Sequence, residues 1–165
     1  MKKLKLFFCA LAAVVFMSGP ASAATDTINF FQSFELYVHR MEIDLADHTF
    51  GVMLSNTAPT MTWTTKSQVT EITAGNGYTA GGATVTISSL SQSGGVMTWV
   101  MGSNVTWTGT GGSIATARYL YLYDDSHASD VLVGVLDFGS AFTIVSGQTF
   151  TVYFSGVTLL TVTTQ

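Results

Sequence analysis

The sequence predicts a mainly β protein, an antiparallel β-sandwich or partly closed barrel, with one N-terminal amphipathic helix. Three observations point there. From Thr49 onward, Thr, Val, Gly and aromatic residues dominate and helix formers are rare, the composition of pleated, half-buried strands. Runs of strand length are separated by Gly- and Ser-rich stretches at 91–95, 109–112 and 146–148, which supply turns. Residues 119–123 alternate Tyr with Leu, so Tyr119, Tyr121 and Tyr123 share one face and Leu120 and Leu122 the other.

The first 23 residues read as a separate object. Lys2, Lys3 and Lys5 precede an apolar run from Leu6 to Met17, and Gly19 and Pro20 close it. Ala21, Ser22 and Ala23 are small residues of the kind a signal peptidase reads, which makes Ala24 the new N-terminus. The run is short of the roughly 20 residues a membrane span needs. The expectation is therefore export to the periplasm or beyond, with no stable membrane insertion after cleavage. Residues 24–165 are then one domain, with no linker dividing them.

Processing changes the chemistry. Three of the six basic residues lie in the leader, leaving Arg40, Lys66 and Arg118 against ten acidic residues. Such a surface repels phosphate backbones, so nucleic acid is excluded as a partner. The single cysteine, Cys9, also leaves with the leader, so the processed chain forms no disulfide and no thiolate metal site.

Residues 28–41 carry Phe30, Phe34, Tyr37 and Met41 at helical spacing, widened by Phe31 and Val38, with Asp26 or Thr27 as cap. This predicts a helix packed across a sheet. Strands are expected at 50–55, 83–88, 96–101, 104–108, 114–124, 131–138, 148–154 and 158–164. In the strand expected at 131–138, Val131, Val133 and Val135 are set against Leu132, Leu136 and Phe138. Strands apolar on both faces demand a second covering, from the helix, a loop or another subunit, and the pattern favours a homo-oligomer.

Motifs of catalysis are missing from the sequence. The glycine-rich stretch 75–82 has Ala80 where the dinucleotide fingerprint needs its last glycine, and reads as a surface loop using positive φ. His39, His48 and His127 form no metal-binding pair by spacing, and no Gly-x-Ser-x-Gly elbow exists. The chain is read as not an enzyme and as needing no cofactor. Asp124, Asp125 and Asp130 are weak candidates for a Ca²⁺ site, meeting only the oxygen-ligand requirement. A hydrolase built on that region with His127 is the remotest reading. Of the tryptophans, Trp99 and Trp107 lie in strand patterns that suit the core. Trp63, flanked by threonines, is the candidate surface contact, including for a glycan.

The segments Asp44–Pro59, Glu71–Gly82, Asn104–Thr108, Ala117–Asp125, Val133–Gly139 and Gly147–Phe154 resemble, in that order, a family of small β-rich virion structural proteins of tailed bacteriophages. The resemblance spans residues 28–165. It implies a non-enzymatic head or tail component whose partners are itself and other particle proteins, located in a virion. The leader sets against this the alternative of an exported bacterial surface or periplasmic binding module.

Overall fold

The computed structural model describes residues 14–17 and 28–163, with side chains described for 28–161. The chain is mainly β, with antiparallel sheets and one short helix, and no closed barrel forms among the described residues. The strands are β1 (Val14–Met17), β2 (Asn29–Phe30), β3 (Phe50–Ser55), β4 (Ala83–Val85), β5 (Ile87–Ser93), β6 (Val96–Met101), β7 (Val105–Thr108), β8 (Ile114–Asp124), β9 (Val131–Ile144), β10 (Thr149–Tyr153) and β11 (Thr158–Thr163). The helix α1 is Phe34–His39. A five-stranded sheet runs β2-β9-β8-β3-β4, and two three-stranded sheets run β1-β10-β7 and β11-β6-β5.

The main core lies between the large sheet and the two small ones. Phe50, Val52 and Leu54 of β3 and Leu120 and Leu122 of β8 meet Trp99 and Met101 of β6, Trp107 of β7 and Phe150 of β10. Strict alternation makes this possible, since β3 and β8 pair residue for residue from Phe50↔Asp124 to Ser55↔Tyr119. Trp99 is fully buried and donates its indole N–H to Leu45 O at 3.0 Å, so its one polar atom is satisfied. Trp99 and Trp107 are core residues, as their strand patterns predict.

The other face of the large sheet is buried too. Tyr119, Tyr121 and Tyr123 pack with Phe31, Met53, Val69, Leu132 and Val135, and Met61 and Trp63 lie against them. The second covering that doubly apolar strands demand is therefore the chain's own loop, residues 56–72. That loop is sewn to the sheet edge by Leu132 N–H to Thr64 O (2.9 Å) and Lys66 N–H to Asp130 O (2.8 Å). It contains one 3₁₀ turn, Lys66–Gln68, where Gln68 Oε1 accepts the Thr64 and Thr65 N–H groups.

Four sequence expectations need correction. The helix over 28–41 shrinks to α1, because Asn29 and Phe30 instead pair with Val135 and Gly134 of β9. Phe30 then stacks on Phe34 on the main-core side, and Phe31 turns to the tyrosine side against Tyr121. Neighbours on opposite faces are strand behaviour, which helical spacing cannot accommodate. Met41, expected on the buried stripe, is 89% exposed and adopts φ 58°, ending the helix. Ser33 precedes the helix without a side-chain cap, and the alternative caps Asp26 and Thr27 lie outside the described residues.

The strand expected at 83–88 breaks at Thr86, whose N–H goes to Ser103 Oγ at 2.9 Å, and β5 then runs to Ser93 before a Gly94–Gly95 turn. The strand expected to end at Phe138 continues to Ile144, carrying Phe138 and Phe142 over Phe150. Finally, a bulge at Val133 splits the assigned faces. Leu132 pairs with Tyr123 and Gly134 with Leu122, so one extra residue sits on β9. Val131, Val133 and Leu136 join the main core, while Leu132 and Val135 join the tyrosines. The signal-cleavage residues Ala21, Ala23 and Ala24 lie outside the described residues.

Candidate functional site

Charge is segregated in this molecule. No Asp, Glu, Lys or Arg occurs between Glu71 and Arg118, nor after Asp137. Strands β4 to β7, β10 and β11 are therefore free of charge, and every charged side chain of the described region sits on or around the large sheet. Two polar clusters and one groove arise there.

The first cluster centres on Asp124, the last residue of β8, whose side chain is fully buried. Its Oδ2 lies 2.6 Å from His48 Nδ1, and Oδ1 accepts the backbone N–H of Ser126 (2.9 Å) and His127 (3.3 Å). With the carboxyl oxygen as acceptor, His48 Nδ1 is the donor in this pair. Nδ1 cannot then accept from the Asp44 N–H 3.3 Å away, and the shorter bond wins. Ser126 Oγ accepts the Thr49 N–H at 2.8 Å, and Asp125 N–H reaches Thr49 O at 2.9 Å. His127 accepts the Ser129 N–H on Nδ1, which leaves its proton on Nε2, 3.9 Å from Glu42. Beside them, backbone N–H groups of Ala46 and Asp47 hold the exposed Asp44 carboxyl below its ordinary range.

A histidine oriented by a buried carboxylate is half of a nucleophile-activating triad. Here the carboxylate's other oxygen closes the 124–127 turn, and the adjacent serine hydroxyl anchors the start of β3. The arrangement ties two loops together. Sequence spacing placed His127 with this acidic set, and its backbone N–H does reach Asp124, but the imidazole that pairs with Asp124 is that of His48, 76 positions away.

The second cluster resolves the other acids. Lys66 Nζ lies 2.8 Å from Asp130 and 3.9 Å from Asp125, and sits 4.1 Å over the Tyr123 ring. Burial works against its charge, but the bond to Asp130 and the nearby Tyr123 oxygen outweigh it and raise its pKa. The position a cation takes between Asp125 and Asp130 is thus filled by an ammonium group. Asp124 faces elsewhere, so the three Ca²⁺ candidates do not converge. Among the described residues no group of three or more His, Cys, Asp or Glu is arranged to hold a metal.

Tyrosine hydroxyls hold the loop over the sheet. Tyr121 donates to Thr57 O (2.8 Å) and Tyr123 to Gly81 O (2.8 Å). Tyr78 donates to Glu71 Oε1 (2.7 Å) and accepts the Leu54 N–H (2.9 Å). Burial pushes the pKa of all three upward, so they remain neutral donors. The glycine-rich stretch is part of the same fastening. Gly82 has φ +76° and a Cβ there would land on Val52 O, so the loop lies against β3 only because no side chain intervenes.

The groove, about 620 Å³, lies beside β2 and β9, with Phe31, Met61, Tyr119 and Val135 as apolar wall and Glu35 and Asp137 at its rim. Asp137 is held by Arg118 through two bonds of 2.8 and 2.9 Å. That guanidinium, and the Gly139 N–H, keep the Asp137 carboxyl below its ordinary range against a modest burial penalty. Trp63 is not in the groove. It is half-buried against the tyrosine cluster, more a part of the covering loop than a free stacking platform.

On the charge-free sheets several outward residues are hydroxyls paired across strands, beside the exposed Leu90 and Tyr153. Thr106 and Thr151 approach to 3.0 Å, Thr108 and Thr149 to 3.1 Å, and Ser91 and Thr98 to 2.9 Å. Their inward neighbours Val105, Trp107, Phe150 and Val152 are buried. This surface was open to sequence reasoning through the gap in charged residues, a signal that element-by-element reading passes over. No helix among the described residues is long and apolar enough to cross a membrane. Comparison with models of protein families, with curated proteins and with solved structures finds no match.

Proposed function

We propose that this protein is a non-enzymatic structural subunit that is exported, loses residues 1–23, and works by packing its charge-free sheets against other protein surfaces. The observation that carries this reading is the segregation of charge. Soluble β proteins blunt their edge strands with lysine, proline or inward charge. Edge strands β5, β7 and β11 carry none of these, nor does β10, which becomes an edge once residues 1–23 are lost. Strands without charge or proline, interrupted only by register shifts near Thr158 and Ile87, suit a molecule whose edges and faces are covered in its working state. The resemblance to small virion proteins of tailed phages supports the same kind of role, as a particle component. The test is quantitative mass spectrometry of particle and envelope fractions from the source. Recovery at fixed stoichiometry with other proteins of one assembly is the expected result. Recovery solely as a free, unassociated chain sinks the proposal.

A second reading rests on the groove. A partly apolar cleft of this size, with Glu35 and the Arg118-paired Asp137 at its rim, suits a small ligand with an apolar body and a polar, hydroxylated or cationic end, as an exported binding module requires. A thermal-shift screen of glycans and amphiphilic amines tests it, with Tyr119→Ala as the control that abolishes any shift. If no compound raises the melting temperature, the binding-module reading fails.

A further inference from the structure

Strand β10 is the middle strand of its sheet only because β1 lies along it. The register runs Val14↔Tyr153, Val15↔Val152, Phe16↔Thr151 and Met17↔Phe150, antiparallel. On its other side β10 pairs with β7, from Thr149↔Thr108 to Val152↔Val105. Residues 14–17 belong to the segment read above as the export signal, so the inference rests on that reading. Cleavage after Ala23 removes β1 and leaves β10 as a sheet edge, with backbone N–H and C=O groups that need new partners.

We infer that this edge is a docking strand for the β10 of a second copy, giving a twofold dimer joined by one continuous antiparallel sheet, β7-β10-β10-β7. Three features select this occupant. The first is that the edge accepts an antiparallel strand, as β1 demonstrates. The second is self-complementarity. Antiparallel pairing centred on Thr151 sets Thr151 against its own copy, Phe150 against Val152 and Thr149 against Tyr153. Every residue thereby meets one with the same facing, because Phe150 and Val152 point into the core and the odd-numbered residues point outward. The pairing also extends the outward Thr106–Thr151 hydroxyl pair into a row across the twofold axis. The third is the absence of cost. Neither β7 nor β10 carries a charge or a proline, so nothing repels the copy or interrupts the ladder. Other edges lack the first feature, since among the described residues no additional segment lies along the outer side of β5 or β11.

Export would then serve as the trigger. The leader's apolar strand shields the edge before processing, and its loss exposes the edge where the protein works.

The experiment uses the full-length gene expressed with its leader. Intact mass of the exported product reads the cleavage, and sedimentation equilibrium reads the association. Thr151→Glu and Thr151→Lys are measured separately and then mixed in equal amounts. Position 151 is on the hydroxyl face, so both variants should fold, which circular dichroism checks. The expected result is cleavage after Ala23, a dimer for the unmodified chain, association at least about tenfold weaker in each variant from like charges facing each other, and recovery on mixing. A product that keeps residues 14–17 overturns the export reading and this inference with it. A correctly cleaved product that stays monomeric, or a dimer that neither variant weakens, overturns the edge pairing alone.

Discussion

The two halves of this protein solve the same burial problem in opposite ways. Where β3, β8 and β9 pair closely, the five-stranded sheet hides both of its faces, one against the small sheets and one beneath its own 56–72 loop, and the charge of the described region lies on or around it. The small sheets carry no charge, bury residues of β6, β7 and β10 in the core, and show paired hydroxyls with Leu90 and Tyr153 on their exposed surface. The contrast shows that apolar strands do not by themselves argue for a partner. The more greasy half is self-sufficient, because tyrosine combines an apolar body with a hydroxyl that fastens the cover. The drier signal for a partner lies in the half that looks polar, where no charge guards the strands against another chain.

The sharpest break of that contrast is removal of the cover's central fastening. Tyr121→Ala takes a fully buried ring and its bond to Thr57 O from the tyrosine face, and should cost about 3–5 kcal/mol by urea unfolding. Tyr121→Phe, which loses the hydroxyl alone, should cost only about 1 kcal/mol. Equal costs would show that the loop is held by something other than packing on this ring. Next comes the Asp124–His48 tie. Asp124→Ala strands a buried hydrogen-bonded group and should destabilise by about 3 kcal/mol, at the low end for a broken buried pair because His48 is partly exposed. Little change in the urea midpoint would demote the pair to decoration.

On the opposite half the expectation reverses. Ser91→Lys, on exposed edge strand β5, should alter stability by less than about 0.5 kcal/mol while lowering light scattering at high concentration. A large loss of stability there would mean the hydroxyl pairs hold the fold.

The smallest effect is acid sensitivity. The Asp137 carboxyl is depressed by Arg118, so it contributes stability that is present above the ordinary carboxyl range and is lost as pH falls below about 4. The pair is substantially exposed, which screens it strongly. Arg118→Ala should therefore lower the neutral plateau of the melting-temperature profile slightly and flatten its acid limb, the two proteins converging as pH falls below about 4.

What the sequence made legible follows from range. Strands β3, β6 and β8 could be read to the residue, because alternation is a local property of consecutive side chains. Helix α1 was overextended because Phe30, Phe31 and Phe34 satisfy helical spacing, while pairing with β9 fixes the real conformation. The Val133 bulge leaves no compositional mark, since every residue from Val131 to Leu136 except Gly134 is apolar. Asp124 stood out as part of an acidic run, but its histidine comes from the start of β3, and only the β3–β8 register brings the two together. Charge segregation required no structure at all. It became meaningful once the topology gathered the uncharged segments into two sheets.

The three tryptophans give this architecture an optical consequence. Trp107 sits between Tyr78 and Phe150 in a small sheet, Trp99 meets Phe34 and Phe50 at the junction, and Trp63 lies in the cover. Chains keeping one indole each would report emission from three separate depths. During denaturation the colour of each would tell whether the cover peels away first or the whole molecule melts at once.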